Sequence, residues 1–313
     1  MMKSRQAITT ILSAVAIASL VLVSATSAAA GDRHHHDGDA DDVTTAISAC
    51  SYVITAPGRY ALASNLSCTA DGITIQASHV ELELDGHSLT GSNWNTGILV
   101  SAAGSLSDVR IEGPGSVTRF GNGIDLESLS DSSVDGVTST FNGTDGLVTN
   151  YSFTSTVTRL RLTHNVVSGN GAWGMILGNI DDSQIRQNAI ALNATGGGGG
   201  LSGIAIIGGR NNLVQGNVTT GNYGGGILIA AESYSTAATG NRVRDNVASG
   251  NSVVGISIAS GTGNLVEGNE AFGNSGYPGT YDVTDATPCG TNTWRHNAFA
   301  TSNEACIVPT VRH

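Results

Sequence analysis

The chain has 313 residues, with 14 basic and 25 acidic side chains and a formal net charge of -11 at pH 7. Proteins bind the phosphates of nucleic acids with clustered lysine and arginine, so this acidic chain is not expected to have a nucleic-acid partner. Its 42 glycines argue against a helical protein, because each glycine inside a helix costs about 1 kcal/mol.

Residues 1–30 have the layout of a secretory signal peptide. Lys3 and Arg5 precede an uncharged apolar run from Ala7 to Val23, and three alanines close the segment. An uncleaved membrane anchor is the alternative, disfavoured by the serines and threonines in the run. Cleavage would leave no lysine, a net charge of -13 and no membrane-spanning segment. We therefore predict a secreted or periplasmic protein.

Residues 31–45 are charged and small, and predict a disordered tether. The tether carries His34, His35 and His36 among five aspartates. Imidazole nitrogens bind borderline divalent metals, so these histidines are the candidate metal ligands. A site without a scaffold must be organised as it binds, so only weak affinity is expected, and a solvated tether is the alternative. No other cofactor is predicted.

A repeat of 23 to 29 residues runs along the rest of the chain. Its first column is a glycine followed by a large apolar residue, at Gly72, Gly97, Gly123, Gly146, Gly174, Gly203, Gly226 and Gly255. A second column holds pairs of asparagines five residues apart, at Asn165/Asn170, Asn188/Asn193, Asn217/Asn222, Asn246/Asn251 and Asn269/Asn274. Repeats this short, without a helical period, predict strands that stack turn upon turn.

The sequence therefore predicts an all-β protein: a right-handed, single-stranded parallel β-helix of about nine rungs over residues 46–313, capped at both ends. The asparagines are expected at corners, in left-handed backbone conformations and in hydrogen-bonded ladders. An outward column at Arg186, Gln215, Arg244, Glu267 and Arg295 predicts an ion-pair ladder.

Four cysteines lie in two pairs at the ends of the repeat region. Of three possible connectivities, Cys50 with Cys68 and Cys289 with Cys306 are favoured, because each closes a short loop. A metal site is the alternative, but the spacing is not that of zinc ligands.

The repeats from Cys50 to Cys306 resemble those of the right-handed β-helix proteins of the pectin-lyase-like superfamily, in their exported bacterial form. The catalytic motifs of those enzymes do not carry over. Asp181 and Asp182 resemble the polygalacturonase pair, but no histidine stands near Gly255 and no lysine survives export. The chain also resembles exported β-helix proteins of copper delivery to nitrous oxide reductase, and the histidine cluster is the feature that hints at that role.

The strand from Gly123 to Glu127 carries the candidate catalytic residues. Alternation places Asp125 and Glu127 on one exposed face, about 6.5 Å apart along the backbone. This spacing suits an acid and a base that flank a glycosidic bond. An apolar column around Asp125 would raise its pKa, as a catalytic acid requires. A solvated surface pair, or a stripe covered by a loop or partner, is the alternative.

Aromatic rings that stack on sugars are expected beside this strand, at Trp94, Phe120, Tyr151 and Trp173. Arg119 is the candidate partner for a uronate carboxylate. These residues predict a protein that binds or processes extracellular or envelope polysaccharide; an active enzyme would be a polysaccharide lyase or glycoside hydrolase. The alternatives are a non-catalytic surface or structural module, and a periplasmic metal-handling accessory. The sequence does not predict the oligomeric state.

Overall fold

The computed structural model describes residues 43–149, 155–196, 201–231, 237–274, 276 and 279–310. The predicted signal peptide, the histidine cluster of the tether and Tyr151 lie outside the described residues. Across these ranges the chain forms 33 strands and no α-helix. No helix that could cross a bilayer is found in the described part of the chain.

The strands are short, and most have two to five residues. In chain order they are β1 (Thr45–Ile47), β2 (Tyr52–Ile54), β3 (Gly58–Leu62), β4 (Leu66–Ser67), β5 (Ile73–Ile75), β6 (Val80–Glu83), β7 (Ser88–Thr90), β8 (Thr96–Val100), β9 (Leu106–Ser107), β10 (Val109–Thr118), β11 (Asn122–Leu126), β12 (Leu129–Ser130), β13 (Ser133–Thr140), β14 (Leu147–Thr149), β15 (Val157–Thr158), β16 (Arg161–Thr163), β17 (Val166–Ser168), β18 (Met175–Asp181), β19 (Gln184–Arg186), β20 (Ala189–Ala191), β21 (Ser202–Arg210), β22 (Leu213–Gln215), β23 (Val218–Thr220), β24 (Gly225–Ala230), β25 (Ala238–Thr239), β26 (Arg242–Arg244), β27 (Val247–Ser249), β28 (Val254–Ile258), β29 (Leu265–Glu267), β30 (Glu270–Phe272), β31 (Tyr281–Asp285), β32 (Thr293–Arg295) and β33 (Ala298–Phe299).

The strands stack in parallel on three faces. The first face runs β2-β5-β8-β11-β14-β18-β21-β24-β28-β31. The second face follows β3-β6-β10-β13-β16-β19-β22-β26-β29-β32, and the third follows β7-β10-β13-β17-β20-β23-β27-β30-β33. The long strands β10 and β13 belong to both the second and third faces, because each continues through the corner between them.

The register of the first face confirms the predicted β-helix. Ile204 pairs with Ile227, and Ile227 pairs with Ile256. All three are fully buried, so residues about two dozen positions apart are neighbours in one apolar core. Ten described strands stack on this face, close to the nine rungs predicted.

Asparagine ladders hold the corners, as predicted. Asn217 shows the pattern: its Oδ1 accepts from N and Nδ2 of Asn188, and its Nδ2 donates to Oδ1 of Asn246 and to the carbonyl of Ile185. A buried ladder satisfies backbone groups that the turning chain leaves without sheet partners. A third ladder, which the sequence analysis missed, contains Asn212, Asn241, Asn264 and Asn292.

The backbone conformation of the ladder asparagines differs from the prediction. In most cases the left-handed residue is the one before the asparagine, such as His164 (φ 55°) before Asn165 and Gln187 (φ 54°) before Asn188. The left-handed residue turns the chain, and the asparagine that follows is left with its side chain buried inside the corner.

The predicted cross-links are present. Disulfides join Cys50 to Cys68 and Cys289 to Cys306. On the second face, Glu267 pairs with Arg244 at 3.1 Å and with Arg295 at 2.8 Å, on the rungs to either side. The predicted ion-pair ladder is therefore confirmed at these three residues.

Candidate functional site

Asp125 lies near the middle of the first face, on β11. Ile124 and Leu126 on either side of it point into the core, so alternation turns the Asp125 carboxyl outward. Its register neighbours are Leu99 and Val148. Only 8% of Asp125 is exposed. The predicted solvent-exposed pair is thus corrected at this residue, because the apolar neighbours pack around the carboxyl.

The Asp125 carboxyl is poorly satisfied for a buried group. Its Oδ2 accepts a 3.4 Å hydrogen bond from Asn122 Nδ2. Its Oδ1 is buried and has no hydrogen-bond partner among the described residues. Burial first, and then the negative charges of Glu127 and Asp145, raise the pKa of Asp125 to about 6, against the lowering effect of the Asn122 bond. Asp125 therefore holds a proton near neutral pH far more readily than an ordinary aspartate.

Asp145 is a second buried carboxyl at this place, and the sequence analysis missed it. Its Oδ1 accepts from the backbone N–H of Trp173 at 2.9 Å, whereas Oδ2 has no partner in the described structure. The residue is fully buried. Burial raises its pKa to about 6, and the bond from Trp173 lowers it. The available signal was its position directly before the repeat glycine Gly146, on the first face.

Glu127 has a different environment from Asp125. It is half-buried, just after β11, and its Oε2 accepts a 2.8 Å hydrogen bond from Ser101 Oγ. The two predicted carboxylates therefore sit side by side, one buried and protonatable, the other hydrogen-bonded and more accessible.

An open cavity of about 400 Å³ lies at the corner that leads into the first face, and neither Asp125 nor Glu127 is part of its lining. Its lining includes Trp94, Asn122 and Thr144. Backbone bonds stack the corner segments, with Gly121 N–H donating to the carbonyl of Trp94 and Thr144 N–H donating to that of Gly121. Trp94 is 76% exposed. An exposed indole, an amide and a hydroxyl therefore share one wall, and Asn122 connects this wall to Asp125.

The other predicted sugar contacts are distributed differently. Phe120 is fully buried, and a Cβ added to Gly91 would lie 2.5 Å from its ring. The missing glycine side chain is what makes room for this ring in the core, so Phe120 is not available to a sugar and its assignment is corrected. Arg119 is exposed next to this corner, and Trp173 is half-buried.

The described residues offer no site suited to copper. The one cluster of three potential metal ligands found among them is Cys289, Glu304 and Cys306. Both sulfur atoms are joined in a disulfide and are not thiolate ligands. The candidate ligands His34, His35 and His36 lie outside the described residues.

A family model described as "Periplasmic copper-binding protein (NosD)" matches residues 107–310, about two thirds of the chain. The chain belongs to the NosD family. Membership confirms the predicted location, secreted or periplasmic, and agrees with the β-helix architecture. No curated protein matches this NosD-family chain in sequence.

Solved structures similar to this NosD-family protein share its fold. The periplasmic alginate epimerase AlgG has a TM-score of 0.51 and 13% identity, over 78% of this chain and 65% of that chain. The Geobacillus virus E2 ORF18 protein has a TM-score of 0.51 and 14% identity, over 79% and 54%. The Dettilon tailspike has a TM-score of 0.49 and 16% identity, over 80% and 59%. At these identities the likeness to AlgG and to the ORF18 protein shows the right-handed parallel β-helix and nothing more.

Proposed function

We propose that this protein binds an envelope polysaccharide at the corner formed by Trp94, Asn122 and Thr144, with Asp125 hydrogen-bonded to Asn122. The observation that carries the proposal is a cavity walled by an exposed tryptophan, whose lining residue Asn122 donates to the buried Asp125 carboxyl, which keeps one oxygen unpartnered. An aromatic face stacks on the apolar face of a sugar ring, and amide and hydroxyl groups bond to its hydroxyls. Arg119 supplies a nearby cation for an acidic sugar.

The same residues suit glycosidic cleavage. Asp125, with a pKa of about 6, holds a proton that it can donate to the leaving glycosidic oxygen. Glu127 is the partner carboxylate that activates water. The two residues alternate along one strand, so their backbone positions are about 6.5 Å apart on the same face.

The test uses the full chain with neutral and acidic polysaccharides, and follows retention, reducing ends and unsaturated products. Trp94→Ala is expected to abolish retention of neutral polysaccharides, and Asp125→Asn to abolish turnover while retention persists. Asp85→Asn, an exposed aspartate on another part of the chain, is the matched control. Retention without turnover in the unmodified protein assigns a non-catalytic binding module. Retention of no polysaccharide at all refutes the proposal.

The family description favours a second candidate, a role in copper handling. Since the described residues lack a suitable ligand cluster, His34, His35 and His36 are the residues that would hold the metal, through imidazole nitrogens that copper accepts readily. The test is copper binding by the full chain with these three histidines replaced by alanine, measured by competition with a chromogenic chelator. Copper uptake equal to that of the unmodified chain rejects this role.

A further inference from the structure

A polar notch opens on the second face, away from the cavity beside Trp94. Arg110, Ser133 and Arg161 occupy one register column on successive rungs. Neighbouring strands are about 4.8 Å apart, so the two arginine backbones stand about 9.6 Å apart with a serine between them. A short side chain between two long ones leaves a gap, and a groove of about 580 Å³ lies here.

The corner before this column contributes acids that are already paired. Asp131 accepts two hydrogen bonds from Arg159, on the next rung. These bonds hold the pKa of Asp131 below its usual range. Asp108 pairs with Arg110 at 2.9 Å. Asp131 and Asp108 are therefore each held in place by an arginine of the notch.

Arg161 is the free cation of the notch. It is exposed, and it forms no ion pair or side-chain hydrogen bond with any described residue. Its five N–H donors form a planar fork that matches a carboxylate. Arg110 has donors to spare, because its pair with Asp108 uses one terminal nitrogen.

The arginines and aspartates of the groove together favour some anionic ligands over others. Asp108, Asp131 and Asp182 line the same groove, so they repel a polymer with closely spaced phosphates more strongly than one with a single charge per ring. An acidic sugar carries one carboxylate per ring together with several hydroxyls. Its carboxylate suits the arginines, whereas its hydroxyls donate to aspartate oxygens and bond to Ser133.

We propose that this notch binds an acidic polysaccharide, with Arg110 and Arg161 each holding the carboxylate of a uronate unit. The arginine spacing is about the length of two linked hexose units. The site rests on its own contacts and does not require sugar binding beside Trp94.

The test is calorimetric titration of the full chain with tetragalacturonate at low salt. Arg161→Gln is expected to weaken binding at least tenfold, and Arg110→Gln to weaken it by a similar factor. The matched control is Arg242→Gln, an exposed arginine three rungs along the same column and outside the notch. It removes the same charge and is expected to change affinity less than twofold. Circular dichroism checks that every variant is folded.

The outcomes separate the two sites. Undiminished affinity in Arg161→Gln, or equal losses in Arg161→Gln and Arg242→Gln, overturns the notch, because the binding is then elsewhere or is unspecific attraction. Trp94→Ala is expected to leave tetragalacturonate binding at the notch intact. If Trp94→Ala loses affinity for tetragalacturonate while Arg161→Gln keeps it, the proposal for the notch is overturned and the proposed function stands. If tetragalacturonate binding depends on Arg161, and if no polysaccharide shows retention that depends on Trp94, the notch is supported and the proposed function is overturned.

Discussion

Asp145 carries a carboxyl that the folded protein buries completely, so its charge opposes folding. Burial raises its pKa from 3.8 to about 6, a shift of about 2 units. Each unit corresponds to about 1.36 kcal/mol, so the ionised carboxyl costs the folded state about 3 kcal/mol. Asn is a neutral substitute of the same shape, and its Oδ1 still accepts from the N–H of Trp173. Asn also buries an Nδ2 donor where Oδ2 has no partner, which offsets part of this gain, so we expect Asp145→Asn to raise the free energy of unfolding by at most about 3 kcal/mol at pH 7.5.

The stabilising effect of Asp145→Asn is expected to depend on pH. The folded pKa of Asp145 lies above the unfolded one, so its protonation favours the folded state. This contribution is complete below pH 3.8 and is lost as the pH rises through about 6. The advantage of Asp145→Asn is therefore expected to be absent at pH 3.5 and full at pH 7.5.

The assay is guanidinium denaturation followed by circular dichroism between pH 3.5 and 8. Asp85→Asn, at an exposed position, controls for the loss of one negative charge. An Asp145→Asn protein that is less stable than the unmodified chain at pH 7.5 would refute the reasoning, since the ionised carboxylate would then have a stabilising partner. Asp125→Asn is expected to behave like Asp145→Asn, so lost turnover in that variant could not be attributed to unfolding.

Three further substitutions test the architecture by denaturation. Asn217→Ala removes the acceptor for two buried N–H donors of Asn188 and is expected to cost about 2–6 kcal/mol, whereas a loss below 0.5 kcal/mol would show that the ladder adds little. Gly226→Ala places a Cβ 2.5 Å from a backbone oxygen and is expected to cost about 1–3 kcal/mol, with Gly104→Ala, in open space, as a neutral control. Replacing both Cys289 and Cys306 with serine opens a loop of separation 17 and is expected to cost about 3 kcal/mol, measured against the unmodified protein with its disulfides intact.

The fold was predictable because its determinants repeat. Each rung presents a glycine, an apolar residue and asparagines at corresponding places, and the stacked backbone converts that repetition into register. The disulfides were predictable for a related reason, since each joins cysteines close in sequence at one end of the repeats. Errors of one or two residues in a single rung do not alter such a prediction.

The state of Asp125 was only half predictable. The alternation of side chains along the strand predicted that Asp125 points outward. The apolar residues at the same position on neighbouring rungs predicted that its pKa is raised. Its burial depends on how the chain around the strand packs. The alternation pattern is the same whether an outward-facing residue is solvated or covered. Asp145 lies just before β14, in a segment of glycine, threonine and aspartate that is typical of a turn, so its place before the repeat glycine Gly146 was the one available signal and did not predict its complete burial.

The arginine column of the notch could not be predicted from the sequence repeat. Ser133 lies 10 residues after its repeat glycine, whereas Arg110 and Arg161 lie 13 and 15 residues after theirs. The connections between the first and second faces thus vary in length, and they hide a column that the strand register makes plain. The core tolerates these length changes because they occur in loops outside it. A repeat of fixed length therefore cannot align the residue columns of the surfaces that are most open to binding.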